Sequence, residues 1–105
     1  MTDIVLILTT VPDDDRAETL ARALVEQRLA ACVNVHGPMV SVYRWKGAVE
    51  RALERQIVIK TTRDRVLEVE ERVRALHSYE LPEFLVVPLD GGSEAYLGWV
   101  REQAG

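Results

Sequence analysis

The chain opens on Ile4-Val5-Leu6-Ile7-Leu8, an unbroken apolar run rich in β-branched residues, followed at once by Thr9-Thr10-Val11-Pro12-Asp13. Such a run predicts a central strand buried on both faces, ended by a turn. From Asp13 to Ala31 the apolar positions Ala17, Leu20, Ala21, Leu24, Val25 and Leu29 recur every three or four residues. This spacing predicts an amphipathic helix. Pro12 suits its first turn, and the carboxylates of Asp13, Asp14 and Asp15 fall where the positive end of the helix dipole stabilises them.

Cys32 to Trp45 alternates polar and apolar positions until Gly37-Pro38 interrupts it. Proline donates nothing to a ladder, so the segment reads as an edge strand with a break. Lys46-Gly47 supplies a turn, Ala48 to Leu53 is weakly patterned, and Ile57-Val58-Ile59-Lys60-Thr61 is a second central strand, giving a long hairpin. Thr61 or Thr62 is the expected cap of the next helix, in a capping-box pattern ending on Asp64, with Val66, Val69, Val73 and Leu76 as its seam. Glu68 with Arg72 and Glu70 with Arg74 are expected i,i+4 pairs. A loop from His77 to Glu83 leads to a strand at Phe84–Val87, stopped by Pro88, and a short helix carries Tyr96, Leu97, Trp99 and Val100.

The order βαββαβ plus a terminal helix predicts an α+β, ferredoxin-like sandwich with an extended hairpin between its second and third strands, as a single domain over residues 1–105. Two helices on one face leave the other to be covered, and one short helix is hardly enough. Self-association is the expected remedy.

Composition narrows the function. Seventeen Asp and Glu outweigh thirteen Lys and Arg, for a formal charge of −4 with no basic run, which argues against nucleic-acid binding. The single cysteine, Cys32, excludes an intramolecular disulfide framework. The opening segment has neither the basic region nor the length of a signal or membrane segment. A cytoplasmic protein is therefore expected. Cys32 with His36 or His77 is the only nucleophile-and-base set, and Cys32 between Ala31 and Val33 reads more simply as a small core residue. No glycine-rich phosphate loop occurs, and the acidic Asp13-Asp14-Asp15 would repel a phosphate.

His77, with Glu80 and Glu83 in the same loop, is the candidate metal ligand, against a reading in which it rests on the last carbonyls of the preceding helix. Lys60, at the end of an apolar strand, needs an exit to solvent or a carboxylate, with Glu54, Glu80 and Glu83 available in the chain or from a neighbouring subunit, and a ligand-binding lysine in an intersubunit cleft is the alternative reading. Tyr43 and Trp45, near the hairpin tip, lack obvious neighbours in the chain and suggest an interface.

Several segments in order resemble the CutA divalent-cation tolerance family: Leu24-Val25-Glu26-Gln27-Arg28-Leu29-Ala30-Ala31-Cys32-Val33-Asn34, Ser41-Val42-Tyr43-Arg44-Trp45-Lys46-Gly47, Glu54, Ile59-Lys60-Thr61, Leu76-His77-Ser78-Tyr79-Glu80-Leu81-Pro82-Glu83 and Tyr96-Leu97-Gly98-Trp99. The resemblance implies a ferredoxin-like protomer in a homotrimer similar to the PII signalling proteins. It also implies a role in copper and divalent-cation tolerance and does not imply an established enzymatic reaction; a non-enzymatic protein that binds metal weakly or senses a small ligand in its intersubunit clefts is the expectation. Against the copper-binding pattern of some members, this sequence has Thr9 at the cysteine position, Leu76 at the first histidine, His77 at the second and Ser78 at the proline. One imidazole among oxygen donors implies weak binding of Cu2+ or another divalent cation, without copper(I) selectivity. A structural or partner-binding trimer and a small phosphate- or acyl-ester hydrolase are the alternatives.

Overall fold

The structure, a computed structural model, describes residues 2–105; Met1, the first residue of the opening segment, lies outside them. Its elements run β1 (Ile4–Pro12), α1 (Arg16–Glu26), β2 (Cys32–Val35), β3 (Met39–Trp45), β4 (Ala48–Thr62), a 3₁₀ turn at Arg63–Arg65, α2 (Val66–Leu76), β5 (Leu85–Pro88) and α3 (Glu94–Gln103). This is an α+β fold on one antiparallel sheet in the order β2-β4-β1-β5, with β3 continuing beside β4. The two apolar runs are central, and the proline-bearing segments lie at the edges, as expected.

Antiparallel partners share a face, so the register sorts the sheet. One face carries Val5, Ile7, Val11, Ile57 and Ile59, and α1 and α2 close over it with Ala17, Leu20, Leu24, Val69 and Val73. Fully burying an Ile or Leu side chain is worth about 1.5–3 kcal/mol, which makes this layer the main source of stability. The opposite face carries Leu6, Leu8, Val58 and Lys60 with Cys32, Asn34, Leu85 and Val87 beside them. α3 covers only one end of it, packing Leu97, Val100 and Ala104 on Ile4 and Ala31. Leu85 and Val87 remain exposed.

The hairpin β3–β4 reaches beyond both layers. Met39, Ser41, Tyr43 and Trp45 share one side with Glu54, Ala52, Glu50 and Ala48, while Val40, Val42, Val49 and Leu53 share the other, all four exposed. β4 runs unbroken through fifteen residues, so the weakly patterned stretch 48–53 is strand held by pairing rather than by its own pattern. At the corner between β2 and β3, Gly37 has φ +128°, and a Cβ there would lie 2.8 Å from Arg55 Cγ. Only glycine fits.

Several local expectations are corrected. The first helix is shorter than 13–31, because Arg28 turns the chain at φ 58° and the N–H groups of both Leu29 and Ala30 donate to the Leu24 carbonyl. The Arg28 guanidinium bridges to the carbonyls of Glu102 and Gly105, tying this turn to the end of α3. Neither Thr61 nor Thr62 caps α2: the Thr61 hydroxyl donates to the Leu29 carbonyl, and that of Thr62 donates to the Asp64 carboxylate ahead of an intervening 3₁₀ turn. Glu70 pairs with Arg74 as expected, but Glu68 turns back to Arg65 instead of Arg72, since the 3₁₀ turn brings Arg65 one turn before it.

Candidate functional site

Where the hairpin meets the loop 77–83, the structure forms a cleft of about 860 Å³. β4 supplies Glu54 and Gln56 to its floor, the strand alternation turns Tyr43 and Trp45 of β3 to the same side, and the loop after α2 supplies Tyr79 and Glu83 opposite them. Tyr43 and Trp45 thus have neighbours within the chain, contrary to expectation. The reason is the loop, whose path no periodicity in the sequence encodes.

Glu54 is only 6% exposed. Its carboxylate accepts a hydrogen bond from the Tyr79 hydroxyl at 2.7 Å, and no ion pair reaches it among the described residues. Burial and the nearby Glu54 carboxylate both push the Tyr79 phenol above its ordinary value of 10.0, burial most strongly. Gln56 donates one amide hydrogen to the Thr9 carbonyl at 2.8 Å and the other to Glu83 at 3.1 Å, which fixes the second carboxylate of the cleft. At the outer end the Lys46 ammonium stands 5.6 Å from the centre of the Trp45 ring and 3.6 Å from the Glu80 carboxylate.

His77 supports this loop. Its Nε2–H donates to the Thr10 carbonyl of β1, its Nδ1 accepts from the Tyr79 backbone N–H at 3.2 Å, and its ring lies 4.5 Å from that of Tyr79. Both nitrogens are engaged, so ligation through His77 requires the Tyr79 N–H bond to be given up. The imidazole does not rest on the carbonyls of α2 but pins the loop to β1.

The other candidates are scattered. Lys60 pairs with neither Glu54 nor Glu83 in the chain; it lies on the open face, 3.4 Å from the Tyr96 hydroxyl and 5.7 Å from the centre of that ring. Within the chain Glu54 is out of reach, because Lys60 sits six residues along β4 from it, roughly 20 Å at about 3.3 Å per residue. Cys32 is half-buried beside Lys60, and His36 is exposed at the far end of β2. Asp13 pairs with Arg55 at 2.8 Å, Asp14 accepts from the Arg16 N–H at 2.9 Å, and Asp15 precedes α1 without a side-chain cap. Among the described residues no group of three or more His, Cys, Asp and Glu is close enough to hold a metal ion. Thr9 lies fully buried on the helix-covered face, away from the cleft, its hydroxyl without a partner. Sequence reasoning named Glu54 as a partner for Lys60 and Glu83 as that or as a neighbour of His77 in a metal-binding loop, and missed Tyr79 as a donor. The available signal was that Glu54 and Tyr79 both fall in the segments that carry the family resemblance.

Comparison with known proteins agrees with this architecture over almost the whole chain. The family model for the CutA1 divalent ion tolerance protein matches residues 5–103. The divalent-cation tolerance protein CutA of Thermus thermophilus is 46% identical over 100 residues, 95% of this chain and 97% of that protein. The human protein CutA is 42% identical over 93 residues, 89% of this chain but 52% of the relative, so this chain spans about half of that longer protein. Among solved structures, CutA from Xylella fastidiosa superposes with a TM-score of 0.95 at 41% identity, covering 99% of this chain and 100% of that one. A CutA from Archaeoglobus fulgidus described as periplasmic superposes with a TM-score of 0.93 at 35% identity, covering 97% and 99%. With the fold and the sequence in agreement from β1 to α3, the chain belongs to the CutA1 divalent ion tolerance family.

Proposed function

We propose that the chain assembles as a homotrimer of ferredoxin-like protomers and acts in divalent-cation tolerance as a non-enzymatic binding protein of the cytosol. Its ligand, in this reading, is a small cation taken up in the cleft between the hairpin and the loop 77–83. Glu54 carries the proposal: an almost fully buried carboxylate with one neutral donor and no countercharge among the described residues is poised for a positive partner. The tolerance role is supported by the names of the relatives, the trimer by the exposed apolar strip of the open face and hairpin, and the cytosol by a free Cys32.

The donors of one chain do not fit a resident metal site. Glu54 and Glu83 provide two carboxylates and, among the described residues, no third His, Cys, Asp or Glu joins them, so a divalent ion bound here is held weakly unless a neighbouring subunit contributes. Sedimentation at micromolar concentration tests the assembly, with a trimer expected; a folded monomer overturns it. Calorimetric titration with Zn2+ and Cu2+ tests the site. Glu54→Gln is expected to weaken binding at least tenfold. His77→Ala separates the two candidate ligands: unchanged affinity assigns His77 to loop support, whereas lost affinity in a folded trimer assigns the ion to its imidazole.

A further inference from the structure

The cleft is built for more than a bare ion. Glu80 is neutralised by Lys46, while Glu54 and Glu83 face only the Tyr79 hydroxyl and the Gln56 amide among the described residues. Two uncompensated carboxylates ask for two positive charges. A metal ion is held well by several charged or imidazole donors converging on one point, and among the described residues no three His, Cys, Asp or Glu side chains do so. The rings of Tyr43, on the hairpin, and Tyr79, on the loop opposite, both line the cleft. They contribute nothing to a hard metal ion, but attract an alkylammonium group through their faces and bury its methylenes. The molecule already displays this chemistry at the mouth of the cleft, where the Lys46 ammonium lies against the Trp45 ring with the Glu80 carboxylate beside it.

We propose that the inner cleft is a binding site for an aliphatic diammonium ion, its charges met by Glu54 and Glu83 and its carbon chain by Tyr43 and Tyr79. The inference rests on the reading of the cleft as a cation site and names the class of cation. Alkyl chains need no converging cage, only separated acceptors and an apolar wall, and the cleft supplies both. Gln56 holds the Glu83 carboxylate and Tyr79 holds that of Glu54, so the acceptors are fixed before the ligand arrives.

Calorimetry on the intact assembled protein, with butane-1,4-diammonium as probe and butane-1,4-diol as its neutral counterpart, decides the matter. The diammonium ion is expected to bind and the diol not to. Glu54→Gln, which keeps an acceptor for the Tyr79 hydroxyl, should weaken the diammonium ion at least tenfold. Tyr43→Leu should weaken it several-fold while leaving Zn2+ affinity unchanged. Where Glu54→Gln does not fold, Glu83→Gln at a half-exposed position serves with the same expectation. Equal binding of the diol, or diammonium affinity unchanged by these carboxylate variants, overturns the proposal. Zn2+ binding without diammonium binding overturns it while the cation-cleft reading stands; binding of neither removes both. Diammonium binding without Zn2+ binding supports it and leaves the metal reading without a site.

Discussion

The two faces of one sheet have been finished in opposite ways. On the helix-covered face, Ile7, Ile57 and Ile59 are fully buried among α1 and α2 side chains. On the other face, Leu8 and Val58, one residue along in the same strands, and Leu85 on the neighbouring β5 have the same apolar character but no element to lie against, and Leu85 is 53% exposed. Since neighbouring positions share backbone, pairing and propensity, the difference comes from the helices alone. A side chain is core only when something covers it. The covered face holds the protomer together, and the open face is left available for association.

The largest break in this comparison is a deletion in the covered layer. Ile59→Ala should lower the unfolding free energy by about 3 kcal/mol, because it removes buried methyl groups and leaves a cavity that rigid neighbours fill poorly. Chemical denaturation measures it. Val58→Ala, its neighbour on the open face, should cost well under half of that in a separated protomer; equal costs would mean that both faces are core.

A charge on the open face acts on assembly rather than on the protomer fold. Leu8→Asp should dissociate the proposed trimer at micromolar concentration, with an effect on the order of 2 kcal/mol or more per interface, while far-ultraviolet circular dichroism stays unchanged. Sedimentation showing an intact trimer would place the interface elsewhere.

The covered face also contains a flaw. The Thr9 hydroxyl is fully buried with no partner among the described residues, and leaving such a group unpaired costs roughly 1–3 kcal/mol. Thr9→Val keeps the shape and should raise stability by about 1 kcal/mol. A fall in the midpoint would show that the hydroxyl is satisfied in solution.

The smallest effect concerns pH. Tyr79 titrates above the ordinary value of 10.0 in the native protein because burial and the Glu54 carboxylate disfavour the phenolate. The unfolded chain therefore releases this proton first. Tyr79 adds no slope below about pH 10, and from there stability falls as pH rises toward the native value, since only the unfolded state ionises. Melting temperatures of the wild type should fall more steeply above pH 10 than those of Tyr79→Phe. Parallel curves would show that Tyr79 is exposed to solvent.

Much of this was written in the local pattern. Two apolar runs became the central strands, Pro38 and Pro88 marked the edges, and Val69 and Val73 formed the buried seam of α2, because burial of alternating or helically spaced side chains is a local periodicity. The missing cover on one face was legible too, as a shortage of helices. What ran against expectation needed atoms distant in sequence. α1 stopped at Glu26 because Arg28 is held in its turn by carbonyls at the end of α3. The Thr61 hydroxyl went to Leu29 across the fold instead of capping a helix.

The cleft divides the same way. Its residues and their charges are a matter of sequence: Glu54, Glu83, Tyr43 and Tyr79 were all there to be read, and their order along the chain supports the family assignment. That Tyr79 donates to Glu54, that Gln56 holds Glu83, and that Lys60 lies with Tyr96 instead of either carboxylate were decided only in three dimensions. Periodicity reports which side of a strand a residue takes, because that repeats every two positions. It carries no information about which loop, 25 residues away in the case of Tyr79 and Glu54, returns to meet that side, because the path of a loop is set by the packing of the elements it joins.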